Sequence, residues 1–183
     1  MSKLTVVLPG IGYHKDKPLL YYSSKLMMNL GYEVISIEYH DLPSKVKGDK
    51  DMMRKAFEMA FAQSEEQLAG VDFSGYEEVV FIGKSIGTAV VAKYVSDHKL
   101  NARQVWYTPV EATFSFDSED VIAFIGDADP WSDVDKVKSI ANDKGIPMHS
   151  YPECNHSLEC GDVGRNIEIV GDVIKKTDQY INS

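Results

Sequence analysis

Val79-Val80-Phe81-Ile82 is an unbroken apolar run, bounded by Glu78 before it and Gly83 after it. A strand with one face in water alternates apolar and polar residues, whereas a strand covered on both faces need not. The run therefore points to an interior strand of a parallel sheet with helices on both sides. Val121-Ile122-Ala123-Phe124-Ile125 has the same character, and shorter β-rich runs lie at 4–8, 33–38, 104–107 and 147–151. Helical patterns separate them. Asp16 and Pro18 open a helix carrying Leu19, Leu26 and Leu30, which Gly31 closes. Asp49 caps a second, with Met52, Met53, Ala56, Phe57, Ala60 and Phe61 on its inner face. A third runs from Ser85 to about His98. Ser132, with Asp135 three residues on, opens a fourth that ends at Gly145. The last places Val163, Ile167, Val170 and Ile174 at helical spacing. Between Thr108 and Asp120 no helix is expected, only a loop around Pro109 with an extended piece at 113–116.

This βαβα rhythm predicts a three-layer α/β/α sandwich, with a doubly wound, mostly parallel sheet of about six strands. The 183 residues suit one domain spanning 1–183. In such a sheet the reactive residues belong on loops at the C-terminal ends of the strands.

Composition narrows the partners. The formal net charge of −9 and the absence of any basic run argue against nucleic acid and anionic membrane surfaces. No stretch approaches the roughly 20 apolar residues of a membrane span. The apolar run at 4–8 is shorter than a signal peptide's core, and two cysteines make no disulfide framework, so a cytoplasmic location is expected.

Gly83-Lys84-Ser85-Ile86-Gly87 joins the apolar run at 79–82 to a helix that begins Thr88-Ala89-Val90-Val91-Ala92. By itself Gly-x-Ser-x-Gly arises by chance in a chain of this length about 5% of the time. Its setting raises its weight. A sharp strand-to-helix turn strains the serine backbone, the flanking glycines let strand and helix approach, and the hydroxyl then stands at a helix N-terminus. Two phosphate-binding readings compete for similar letters. A Walker A loop needs glycine at position 78, where Glu78 stands. A dinucleotide loop at Pro9-Gly10-Ile11-Gly12, with Glu38 as ribose ligand, needs a third glycine where Lys15 stands.

A serine hydroxyl needs a neutral imidazole to take its proton and a carboxylate to orient that imidazole. In the α/β-hydrolase arrangement, which Gly83-Lys84-Ser85-Ile86-Gly87 in its strand–turn–helix setting resembles, the chain order is Ser, then acid, then His, which under that reading excludes His14 and His40 as the base. His98 falls at a helix end and His149 within a strand, where surface or packing roles are expected. His156, in the loop after the last strand, remains. For the acid, Asp127 and Asp129 both leave the end of the run at 121–125, and spacing alone does not separate them.

Taken from residue 4 to the final helix, the chain resembles the small, lidless α/β-hydrolases. That family commonly carries its acid three residues after the glycine ending the strand, which favours Asp129, and Asn155-His156-Ser157-Leu158-Glu159 is similar to its histidine loop. The resemblance implies a Ser85–His156–Asp129 triad and an oxyanion hole from the backbone N–H groups of Ile86 and Ile11. The His-Gly dipeptide that the family places before the second donor is Pro9-Gly10 here. It further implies an open pocket bordered by Tyr13, His14, Lys15, Tyr39, Lys84, Pro109, Glu111, Phe114 and Trp131, with Tyr13, His14 and Trp131 singled out for substrate contact. The expected reaction is hydrolysis of a carboxylic ester or thioester, a small-molecule substrate, through an acyl-enzyme without metal or organic cofactor. The alternatives are a non-catalytic binding protein on the same fold and, behind it, a dinucleotide-binding protein. Cys154, His156 and Cys160 have the letters of a partial zinc site, but a structural site needs four ligands. The oligomeric state is not legible from the sequence.

Overall fold

A computed structural model describes residues 2–183. Six strands, β1 (Lys3–Leu8), β2 (Glu33–Ser36), β3 (Glu78–Lys84), β4 (Arg103–Tyr107), β5 (Val121–Gly126) and β6 (Met148–Tyr151), pair in the order β2-β1-β3-β4-β5-β6. Every pairing is parallel. Five helices connect them: α1 (Pro18–Asn29), α2 (Lys50–Leu68), α3 (Ile86–Asp97), α4 (Val134–Asp143) and α5 (Val163–Ile181).

The unbroken apolar runs are explained by two separate cores, one on each face of the sheet. Because side chains alternate along a strand, each run divides between them. Leu4, Val6, Leu8, Phe81, Trp106, Ala123 and Ile125 face α2, α3 and α4. Val7, Val80, Ile82, Val105, Tyr107, Ile122 and Phe124 face α1 and α5. Phe81, Trp106 and Phe124 are fully buried, and each such side chain contributes about 1.5–3 kcal/mol by leaving water. Strand order reverses between β1 and β3, so a crevice opens at their C-terminal ends, where Leu8 lies beside Gly83 in register.

Several local expectations change. Asp49 does cap α2, accepting from the N–H groups of Asp51 and Met52. Asp16 does not cap α1, whose N-cap is Lys17 with no side-chain bond, followed by Pro18. Asp133, not Ser132, caps α4 by accepting from Lys136 N, and the Ser132 hydroxyl donates instead to Pro109 O at 3.3 Å. The segment expected to be extended at 113–116 lies mostly in a 3-10 turn, Glu111–Ser115. On α5 the buried stripe is Ile169, Val173, Thr177 and Ile181, while Val163 and Ile167 are 73% and 69% exposed. Among the described residues no helix is long and apolar enough to cross a membrane.

Candidate active site

The turn from β3 into α3 leaves no room for side chains at its glycines. A Cβ on Gly83 would lie 2.7 Å from Gly87 O, and one on Gly87 would lie 2.6 Å from both Leu8 O and Pro9 O. The residue between these close approaches takes the strain: Ser85 has φ 56° and ψ −123°, a conformation costing about 1–3 kcal/mol in a non-glycine residue. Ser85 N–H donates to Tyr107 O at 2.9 Å, anchoring the turn to β4. Ser85 precedes α3, yet its hydroxyl caps nothing. Thr88 satisfies the turn instead, its N–H and hydroxyl both donating to Ser85 O. The Ser85 hydroxyl is left free to meet a partner above the sheet.

That partner is His156, whose Nε2 lies 2.7 Å from Ser85 Oγ. Asn155 shapes the histidine loop: its side-chain oxygen accepts from the N–H groups of Ser157 and Glu159, and its own N–H donates to Glu159 O. Leu158, fully buried with φ 56°, pins the loop to the core. The end of β5 packs beneath it. Ala128 N–H donates to Cys154 O at 2.9 Å, and Gly126 permits the approach, since a Cβ there would press on Cys154 O and sit 2.6 Å from Asn155 O. Backbone atoms on both sides cannot yield as a side chain would. Gly126→Ala is therefore expected to destabilise the protein by about 2–3 kcal/mol, as overpacking does. A urea unfolding midpoint equal to that of the unaltered protein would show the contact to be unimportant.

The two candidate acids separate cleanly. Asp129 Oδ2 lies 2.6 Å from His156 Nδ1, and Asp129 Oδ1 accepts from Trp131 N at 2.8 Å. The Asp129 side chain is wholly buried. Asp127 instead pairs with Lys138 Nζ at 2.5 Å near the surface. Both ring nitrogens of His156 are thus occupied by Asp129 and Ser85, and neither is turned to Cys154 or Cys160. Burial pushes His156 below the ordinary imidazole range; the hydrogen bond to Asp129 opposes this, and the charges of Lys84 and Lys47 reinforce it. A neutral imidazole at pH 7 follows.

A cavity of about 150 Å³ opens over Ser85. Ile11, Gly12, Tyr13, Lys84, Ile86, Trp131 and His156 line it, Lys84 as expected, with Met53, Val110 and Ser157, which sequence reasoning missed. Met53 had a signal in its place on the inner face of α2; Val110 and Ser157 had none beyond proximity to expected loops. Ile86 opens α3, so its N–H has no carbonyl one turn back to bond. The side chains of Ile86 and Ile11 pack with Val46, Ala56 and Met53, which holds both backbones at the cavity wall. Trp131 stands at the rim, its ring 5.8 Å from that of His156.

His14, expected among the residues at this site, is not among those that line this cavity. It lines a neighbouring hollow of about 310 Å³ with Lys15 and Tyr39 and faces Asp16 at 3.6 Å. Glu111 pairs with Lys136 and Phe114 packs edge-on against Trp106, so neither borders the cavity. Pro109 is engaged by Ser132 through its carbonyl, and Val110 takes the expected place at the wall. The expected surface and packing roles of the other histidines fit their surroundings: His98 Nε2 lies 2.8 Å from Glu65 and His149 sits beside Phe124. Glu38, the ribose ligand of the dinucleotide alternative, lines the same neighbouring hollow as Gly10 and Gly12 and pairs with Lys15 at the surface. The helix that should follow a phosphate loop directly begins only at Pro18.

No family model and no curated protein matches the chain. Solved structures do. An α/β serine hydrolase homologue from Coxiella burnetii is 18% identical, with a TM-score of 0.64 over 96% of this chain and 84% of that one. An α/β serine hydrolase without a lid from Xanthomonas campestris is 15% identical, with a TM-score of 0.65 over 97% and 82%. Est1E from Butyrivibrio proteoclasticus is 10% identical, with a TM-score of 0.65 over 100% and 89%. Together with the parallel sheet and the strand order, these similarities show that the chain has the α/β-hydrolase fold.

Proposed function

We propose that the protein is a serine hydrolase that cleaves a small carboxylic ester or thioester through an acyl-enzyme. The observation that carries this reading is the unbroken chain from buried Asp129 through His156 to the Ser85 hydroxyl, with contacts of 2.6 and 2.7 Å. In this reading Ser85 Oγ attacks the carbonyl carbon while its proton passes to His156 Nε2. The carbonyl π electrons move to oxygen, and the N–H groups of Ile86 and Ile11 stabilise that charge; one such donor is typically worth about 2.7–4 kcal/mol. Collapse of the tetrahedral intermediate expels the alcohol or thiol, which takes the proton from His156. Water then attacks the acyl-enzyme with His156 again as base, releasing the acid and restoring Ser85. Asp129 holds the proton on Nδ1 and balances the imidazolium as it forms.

The cavity of about 150 Å³ over Ser85 is open to solvent and lined by both apolar and polar side chains, which supports a substrate that is partly exposed when bound. Similarity to Est1E, of which one structure holds ferulic acid, is in keeping with ester chemistry. A fluorophosphonate probe is expected to label the protein once, at Ser85, and not to label Ser85→Ala. The labelling rate should fall on the acid side with a midpoint below 6.5, because only neutral His156 can accept the proton and burial disfavours its cation. No adduct on the intact protein, as a non-catalytic binding protein would give, or an equal adduct on the alanine variant, would overturn the proposal.

A further inference from the structure

Among the described residues only two aspartate, glutamate, lysine or arginine side chains are buried, Asp129 and Lys84. Asp129 has a place in the mechanism above and Lys84 does not. Lys84 ends β3, on the same face as Val80 and Ile82, and is wholly excluded from solvent directly before Ser85. An ammonium carries three donors. Here Nζ donates to one acceptor, Thr108 Oγ1 at 2.6 Å, and lies 4.8 Å from the centre of the Tyr13 ring, whose negative face attracts a cation.

The acceptor itself is held in an unusual way. Thr108 has φ 47°, which is rare for a β-branched residue, and its N–H donates to Phe124 O at 2.7 Å. The backbone beyond β4 is bent so that the hydroxyl meets the lysine. A leucine or methionine would fill the same space without the desolvation of a charge or the strained partner. The retained ammonium therefore calls for an electrostatic role.

We propose that Lys84 is a positioning residue for the same site: a buried cation at the floor of the cavity, held between Tyr13 and Thr108 directly before Ser85, that acts through space on His156 across the serine. This rests on the reading of His156 as the base. A positive charge in a poorly screened interior disfavours a second one nearby and favours the ionised carboxylate of Asp129. Lys84 and His156 line one cavity on either side of Ser85, whose Oγ is 2.7 Å from His156 Nε2; of the charges acting on His156, Asp129 favours its cation, and Lys84 and Lys47 oppose it. Those facing Lys84 are Asp129, which favours its charge, the Tyr13 ring and His156. Lys47 is solvent-exposed over the Trp131 ring, 5.4 Å from its centre, and salt screens it; Lys84 has no surface in contact with solvent and is screened much less. Burial lowers Lys84 to about 7, so its charge is present at pH 6 and gone at pH 9.

Lys84→Met removes the charge and keeps the length of the side chain. Two readouts are compared in the intact protein and the variant: the His156 imidazole titration, followed by NMR, and the pH profile of fluorophosphonate labelling. The His156 midpoint is expected to rise in the variant, and its labelling at pH 6, relative to its own rate at pH 9, to fall about fivefold below the same ratio for the unaltered protein. Thr108→Val, which removes only the acceptor and makes the ammonium harder to keep, should move the midpoint in the same direction. In the unaltered protein, raising salt to about 1 M should leave the His156 midpoint low, because screening falls mainly on the exposed Lys47. An unchanged midpoint in either folded variant, with labelling reduced equally at all pH values, would mean that Lys84 is structural and would overturn the proposal. So would a salt-driven rise of the midpoint to the ordinary imidazole value. The failure of the intact protein to label at all would refute the hydrolase reading, whereas the NMR titration would still report on Lys84.

Discussion

Replacing Ser85 with alanine is expected to lower turnover of an activated ester by about 10⁶-fold, the scale on which serine–histidine hydrolases lose rate without their nucleophile. The site offers no substitute. Ser157 lines the same cavity, but the imidazole nitrogen that would take its proton faces Ser85. A residual rate of about 10³–10⁴ over water is expected, because the oxyanion donors and the cavity are untouched. The variant should fold, since alanine adds no atom to the turn. Ser85→Gly should go further and stabilise the protein by about 1 kcal/mol, because glycine accepts φ 56° without strain. Thermal melts and activated-ester kinetics on the two variants test both statements. Turnover within tenfold of the unaltered protein in Ser85→Ala would remove this serine from the chemistry.

Asp129→Asn is expected to reduce kcat by about 10⁴-fold with little change in structure. The reason lies in the second oxygen of the carboxylate. Oδ1 accepts from Trp131 N–H at 2.8 Å, so the amide of asparagine will keep its oxygen there and turn its NH₂ toward His156 Nδ1. Nδ1 then becomes an acceptor, the ring proton moves to Nε2, and the nitrogen facing Ser85 can no longer take a proton. Asp127→Asn, two residues away, breaks only the ion pair with Lys138. Such surface pairs contribute about 0–1 kcal/mol, and turnover should stay within about twofold. Kinetics of the two variants side by side decide the matter, and a larger loss in Asp127→Asn would reverse the assignment of the acid.

The sheet was largely legible because its evidence is local. An apolar run such as Val79-Val80-Phe81-Ile82 carries the signature of two-sided burial in the chain itself, and the structure divides it between two cores by strand alternation. The serine turn was legible for a similar reason, since close approach at Gly83 and Gly87 admits only glycine. Helix faces were less so. Val163 and Ile167 have the right spacing on α5, yet Asp162 starts the helix so that its first turns stay in solvent, and burial begins at Ile169. The cap of α4 was misplaced by one residue because Ser132 and Asp133 are both good caps, and only the position of Pro109 O draws the Ser132 hydroxyl away.

The site divides along the same line. Chain order along the strands pointed to Ser85 and His156, and to an acid at Asp127 or Asp129. Parallel topology delivers successive loops to one end of the sheet, while the order Ser, acid, His and the preference for Asp129 are what the resemblance to the α/β-hydrolases implied. Which aspartate meets the imidazole, that His14 faces another hollow, and that Met53 and Val110 wall the cavity were decided by tertiary structure. So was the burial of Lys84. Each depends on the direction of a side chain leaving a loop, and loops from distant parts of the chain set that direction by packing on one another, as Gly126 does on the carbonyls of Cys154 and Asn155.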